Sequence, residues 1–120
     1  MKISDILTKG RVTVSCELFP PKTGAALARV EDVLRDTAAL GPDFISVTYG
    51  AGGSTSKRTL ELAARLQDAY HVPALAHLTC VSSTREEVTQ QVARLRAAGI
   101  GSILALRGDI PQDTSFPTPE

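Results

Sequence analysis

Two hydrophobic periods alternate along this chain, and their alternation restricts the fold more than any single motif does. Residues 12–19, 43–49, 74–81 and 103–106 read as strands, rich in β-branched or continuous apolar residues, and their starts lie about thirty residues apart. A helical period fills each interval. Strand, helix and strand repeated in this way make three successive right-handed βαβ crossovers, which implies a parallel sheet.

Local signals set the boundaries. Pro20-Pro21 stops the first strand. Leu27, Val30, Leu34 and Ala38 recur at helical spacing over residues 25–40, and Gly41-Pro42 ends that helix. The second strand runs into Gly50-Ala51-Gly52-Gly53, a loop whose backbone can approach a ligand closely, before a helix start at Ser54 or Thr55. That helix extends to about Tyr70 with Leu62, Leu66 and Ala69 inward, and Val72-Pro73 ends it. Ser83 with Glu86, or Thr84 with Glu87, has capping-box spacing for a third helix, which turns Val88, Val92 and Leu95 inward and closes at Gly99. Before all of these, Ile3, Ile6 and Leu7 suit a short helix ending near Gly10, a lid or plug against the next element. The run Ile103-Leu104-Ala105-Leu106 reads as a strand buried on both faces. Residues 110–120, aperiodic and with three prolines, read as an irregular tail.

Parallel crossovers build either an open doubly wound sheet or a closed (β/α)₈ barrel. After its first strand the chain has Pro20-Pro21-Lys22 where a dinucleotide-binding unit has G-x-G-x-x-G, which favours the barrel. A whole barrel takes roughly 250 residues. The 120 residues here therefore predict an α/β fold of about four parallel strands and three helices with a short amino-terminal helix, about half of a single barrel domain. Such a half leaves both sheet edges unpaired and apolar surface exposed, so the chain is expected to be a fragment of a longer protein or to pair with another half.

Charge narrows the partners. Thirteen basic and thirteen acidic residues cancel, and no block of like charge favours nucleic acid or an acidic membrane. No apolar run approaches the ~20 residues that span a bilayer, and the first residues lack a secretory pattern, which makes the cytoplasm the expected compartment. Cys16 and Cys80 sit in apolar runs like buried free thiols, and without further ligands at suitable spacing they predict neither a disulfide nor a zinc site.

Polar residues gather where the strands end: Glu17, then Thr48 and Tyr49, then His77 and Thr79, then Arg107 and Asp109. The carboxyl ends of parallel strands are where such folds hold ligands. Glu17, flanked by Cys16, Leu18 and Phe19, suits a general acid whose proton affinity is raised by apolar neighbours; it equally suits a carboxylate paired with a lysine such as Lys22. His77 fits a hydrogen-bonded core histidine or a ring beside an aromatic cofactor better than a metal ligand. Tyr49 suits packing as well as binding, and Arg107 with Asp109 suits an ion pair or a turn as well as chemistry.

Four segments in this order, Glu17-Leu18-Phe19-Pro20-Pro21-Lys22, residues 44–53, Ala76-His77-Leu78-Thr79-Cys80 and Ala105-Leu106-Arg107-Gly108-Asp109 with Pro111, closely resemble the amino-terminal half of the methylenetetrahydrofolate reductase family. The resemblance implies an FAD-dependent oxidoreductase of one-carbon metabolism and methionine biosynthesis. In it NADH or NADPH reduces the flavin, which then reduces 5,10-methylenetetrahydrofolate to 5-methyltetrahydrofolate. By the same resemblance Glu17 is the general acid that protonates the folate so that its one-carbon bridge opens to an iminium. Asp109 lies by the flavin, binds the pterin and helps stabilise that cation. Tyr49, Ala51, His77, Arg107 and Gly108 are flavin contacts, and Thr48 lies near flavin and nicotinamide. Further flavin, folate and nicotinamide contacts of the family fall beyond Glu120, so turnover is expected of a longer, homo-oligomeric protein and not of these 120 residues alone. A non-catalytic half-barrel serving in assembly or ligand binding is the alternative. An aldolase is disfavoured because no lysine stands within the four strands.

Overall fold

The computed structural model describes residues 2–21, 24–49, 56–81 and 83–109. Lys22, the glycine-rich stretch with Ala51, the expected helix start at Ser54 or Thr55 and the 110–120 tail lie outside those residues. Four strands, β1 (Ser15–Leu18), β2 (Phe44–Val47), β3 (Ala74–Thr79) and β4 (Ile103–Leu106), form one sheet in the order β1-β2-β3-β4 with every neighbouring pair parallel. Helix α1 (Ile3–Leu7) precedes them. Helices α2 (Gly24–Ala28) and α3 (Val30–Ala39) connect β1 to β2, α4 (Ser56–Tyr70) connects β2 to β3, and α5 (Arg85–Ala97) connects β3 to β4. Each strand lies beside its predecessor, so right-handed crossovers put every connecting helix on the same side of the sheet. This is an α/β arrangement matching the start of a (β/α)₈ barrel, not a doubly wound sheet covered on both sides.

The strand register turns that one-sidedness into a sorting of side chains. Leu18, Val47, Ala76 and Ile103 stand in one row across the sheet, with Cys16, Ile45 and Ala74 in another. All of these pack with Leu34 of α3, Leu62, Ala63 and Leu66 of α4 and Leu95 of α5 in one apolar core. The alternate set, including Glu17, Ser46, His77, Leu104 and Leu106, faces the other way, because successive strand residues point to opposite faces. In a (β/α)₈ barrel the corresponding face lines the interior.

The helices follow their expected signals with informative differences. The capping box on α5 is the Thr84–Glu87 pair: Glu87 N donates to Thr84 Oγ1 at 3.1 Å and Thr84 N to Glu87 Oε2 at 3.3 Å. Gly99, with φ +83°, turns the chain out of α5 through the left-handed region. The expected helix over 25–40 is broken at Arg29, whose amide bonds the Ala26 carbonyl in a tightened turn before α3 begins. On α4 the buried stripe runs through Thr59, Leu62, Ala63 and Leu66 and continues to half-buried Tyr70, leaving the expected Ala69 exposed. Strands are shorter than the sequence runs, Ser15–Leu18 against 12–19 for the first, because Val12 and Val14 lie outside the ladder and are exposed.

Two larger expectations need correction. The run from Ile103 to Leu106 is not buried on both faces: Leu104 and Leu106 are 41% and 39% exposed and Ala105 is exposed as well. Among the described residues the core reaches β4 only at Ile103. The amino-terminal helix ends at Leu7, short of Gly10, and a bond from Ile3 N to Ser102 Oγ at 3.1 Å ties it to the residue before β4. It sits at the pole where the strands begin.

Charged clamps tie the elements together away from the strands' carboxyl ends. Asp43 accepts from Arg11 and, at 2.8 Å, from Val14 N. Glu31 of α3 accepts from Arg65 Nε at 2.8 Å and Tyr70 Oη at 2.7 Å on α4. The Arg65 bond first, and then the Tyr70 bond, hold the Glu31 carboxyl below its ordinary 4.5; the Arg11 bond first, and then that of Val14, hold Asp43 below 3.8. Carboxyls depressed in the folded state contribute stability above those ordinary values, and the contribution is lost as pH falls through the folded ones. The urea midpoint should therefore fall as the pH is lowered from about 5 to about 3, and Glu31→Gln with Asp43→Asn should flatten that acid limb while lowering the midpoint at pH 7.

Candidate active site

Glu17 occupies the third position of β1, opposite Ser46 in the parallel ladder. Its sequence neighbours Cys16 and Leu18 point to the helix side, so the apolar enclosure expected from them is absent. The carboxyl instead meets polar groups from two other strands. Ser46 Oγ donates to Glu17 Oε1 at 3.3 Å, and His77 Nε2 of β3 lies 3.5 Å from the same oxygen. The His77 side chain is 12% exposed and that of Glu17 50%, so the imidazole forms the floor while the carboxyl is reached from the open face. Both separations are at the long end of hydrogen-bond range.

Two residues beyond His77, on the same side of the strand and about 7 Å along it, stands Thr79. Thr79 opens a second group: a cleft of about 440 Å³ lined by Tyr49, Thr79, Val81, Leu106, Arg107, Gly108 and Asp109. It is built where β2, β3 and β4 end. The β3–β4 ladder continues past the strands through Cys80 N to Leu106 O at 2.9 Å and Val81 N to Arg107 O at 2.7 Å, which carries residues 107–109 over the end of β3. Gly108 there has φ +85°, and a Cβ on it would stand 2.0 Å from Thr79 Cγ2 and 3.0 Å from Val81 Cγ1. Only glycine permits this approach. Arg107 Nε donates to the Gly108 carbonyl at 3.1 Å and not to Asp109, so the two charges are not an ion pair with each other.

Thr48 lies at the end of β2, its amide bonded to the Leu18 carbonyl at 2.9 Å. Its own carbonyl accepts from Thr59 Oγ1 at 2.8 Å, and Arg58 donates to the Pro21 carbonyl. The first turns of α4 thus fix the ends of β1 and β2. The structure accordingly brings Glu17 and His77 into contact and gathers Tyr49, Arg107, Gly108 and Asp109 around one cleft, with His77 and Thr79 linking the groups. Ala51 lies outside the described residues.

Sequence reasoning missed Ser46, Arg58 and Thr59. Ser46 left a trace, as the sole polar residue in Phe44-Ile45-Ser46-Val47 and on the face opposite the core. Thr59, 2% exposed, shows only as a hydroxyl on the buried stripe of α4. Among the described residues no group of three or more His, Cys, Asp or Glu is placed to hold a metal ion, and no helix is long and apolar enough to cross a membrane. A larger groove of about 630 Å³ beside Phe19, Pro20 and Val33 is lined by apolar side chains apart from Arg29, and it lacks the convergent donors and acceptors that chemistry needs. The cleft and Glu17 together suit a flat, partly apolar ligand with a polar edge, held beside a group able to pass it a proton.

The sequence pattern of the methylenetetrahydrofolate reductase family matches residues 2–120. Methylenetetrahydrofolate reductase (NADH) 1 of Arabidopsis thaliana is 38% identical over 110 residues, 92% of this chain and 19% of its own length. The probable methylenetetrahydrofolate reductase (NADH) of Oryza sativa is 40% identical over the same share of the chain and 18% of its own. The 5,10-methylenetetrahydrofolate reductase of Pectobacterium carotovorum is 35% identical over 91% of the chain and 37% of its own length. The chain thus spans about a fifth of the plant relatives and little more than a third of the bacterial one.

The contact between Gly108 and Thr79 gives the cleft floor a direct test. Gly108→Ala should destabilise the protein by at least ~2 kcal/mol, from the left-handed backbone and the overlap with Thr79. Adding Thr79→Ser, which removes the clashing Cγ2, should recover part of that loss, so chemical denaturation of the single and double variants should show clear non-additivity.

Proposed function

The chain belongs to the methylenetetrahydrofolate reductase family, and we propose that it forms the acid-bearing part of a catalytic barrel that reduces 5,10-methylenetetrahydrofolate to 5-methyltetrahydrofolate. The activity is that of a longer protein. The observation that carries this reading is Glu17 on the face turned away from the helices, with Ser46 and His77 at one oxygen, next to a cleft built from Tyr49, Thr79, Arg107, Gly108 and Asp109.

The donor set of the cleft suits a flavin. Gly108 leaves its floor without a side chain, Tyr49 offers a flat ring and Leu106 an aliphatic contact, and Arg107 with the Thr79 hydroxyl supplies hydrogen-bond donors. FAD, when bound, supplies the hydride chemistry, accepting from NADH or NADPH and giving to the folate; the NADH in the plant relatives' names favours NADH. Tyr49, His77, Arg107 and Gly108 would hold its ring system, with Ala51 and Thr48 beside it.

Glu17 acts as the proton donor to the one-carbon bridge of the folate, and its half-exposed carboxyl is open to a substrate on that face. Positive charge then develops on the folate. Asp109, exposed at the rim of the cleft, supplies a fixed negative charge toward it and a partner for the pterin. Exposed Phe19 and Leu104 provide apolar surface for the rest of the barrel. In the longer protein we further propose a cytoplasmic homo-oligomer.

Rapid mixing separates the two halves of the reaction. In the full-length enzyme Glu17→Gln should leave flavin bleaching by NADH within about twofold of the unmodified protein, while reoxidation by 5,10-methylenetetrahydrofolate should slow by at least ~100-fold. Both half-reactions running as fast as in the unmodified protein would remove Glu17 from the acid role.

A further inference from the structure

Ser46 is 7% exposed and is the only polar side chain of β2. A hydroxyl buried without a partner costs about 1–3 kcal/mol, and the acceptor given to this one is Glu17 Oε1, at 3.3 Å. The parallel ladder makes Ser46 the direct cross-strand neighbour of Glu17, so the bond is set by register and not by a flexible loop. His77 Nε2, from the next strand, stands 3.5 Å from the same oxygen. Two groups from two strands therefore converge on Oε1.

We infer that Ser46 is a positioning residue that occupies Oε1 and thereby assigns the transferable proton of Glu17 to Oε2. The inference rests on the proton-donor reading of Glu17. A protonated carboxyl has one oxygen that only accepts and one that carries hydrogen. A proton on Oε1 would point at Ser46 or His77, into the floor; Oε2 takes neither of those contacts, and half of the Glu17 side chain is exposed. When it passes, the Oε2–H bond breaks, an N–H bond forms on the amine nitrogen of the folate bridge, and the electron pair stays on the carboxylate. The substrate becomes cationic and Glu17 anionic, so charge balances. The Ser46 bond then changes from neutral to charge-assisted and strengthens as the proton leaves. An interaction stronger in the transition state than in the ground state raises kcat and leaves KM unchanged.

The test uses the full-length flavin-loaded enzyme with Ser46→Ala, Ser46→Thr and Glu17→Gln. Ser46→Ala should slow folate reduction roughly fivefold to tenfold, the worth of one hydrogen bond, with KM for the folate unaltered. Infrared difference spectra should place the carboxyl C=O stretch of protonated Glu17, identified by its loss in Glu17→Gln, at higher wavenumber in Ser46→Ala, because its oxygen has lost a donor. Ser46→Thr, which keeps the hydroxyl, should restore both rate and stretch. Should Ser46→Ala not fold, Ser46→Cys, of similar volume and a weak donor, should behave in its place. An unmoved stretch and an unchanged rate, with Glu17→Gln still defective, would overturn the role of Ser46 and leave that of Glu17 standing. A fully active Glu17→Gln would overturn the reading beneath it.

Discussion

Right-handed crossovers between strands laid down in sequence order put every connecting helix on one side of this sheet, and the rest of the molecule follows from that. One alternate set of strand residues meets the helices and must be apolar; the other set is free of that demand. Cys16, Ile45, Val47, Ala74 and Ala76 belong to the first, Glu17, Ser46 and His77 to the second. A carboxylate could not stand at either neighbour of Glu17 without entering the core, where an unpaired charge is expensive. The site is thus the face that the core does not use.

The two poles of the sheet divide their work. Where the strands begin, Arg11 and Asp43 brace the chain before β1 and β2, Gln67 bridges the Gly99 carbonyl at 2.9 Å and Ala74 N at 3.3 Å, and α1 is pinned to Ser102. Where they end, the polar groups of Tyr49, Arg107 and Asp109 surround a cleft. Structural bonding at one end leaves the other free to carry charge toward a ligand, which is the usual division in parallel barrels. Thr59 and Arg58 connect the two tasks, since they rigidify the ends of β1 and β2 from a helix whose inner stripe is part of the core.

Most of the architecture could be read from the letters because its signals are local. Pro20-Pro21, Gly41-Pro42 and the Thr84–Glu87 pair punctuate elements within a few residues of themselves, and the hydrophobic period names each element's type. The candidate site residues were legible for a related reason: strand ends are recognisable, and polar residues placed there stand out against apolar runs. Burial was harder to read. The run Ile103-Leu104-Ala105-Leu106 looks like a fully enclosed strand, yet its enclosure depends on neighbours that no local pattern specifies. Ala69 failed likewise, since a stripe on a helix drifts toward whichever residue, here Tyr70, finds a partner on a neighbouring helix, here Glu31 of α3.

The sequence by itself determined the order and kind of the elements, the parallel sheet and the set of residues that stand at its carboxyl edge, because period, punctuation and crossover handedness are properties of short stretches of chain. Only the tertiary structure decided which of those residues meet. That Glu17 finds Ser46 and His77 instead of Cys16 and Leu18, and that Gly108 closes over Thr79, depends on the register between strands some thirty residues apart. Register is a long-range choice, made when the helix-facing set is buried, and it carries the opposite face along with it.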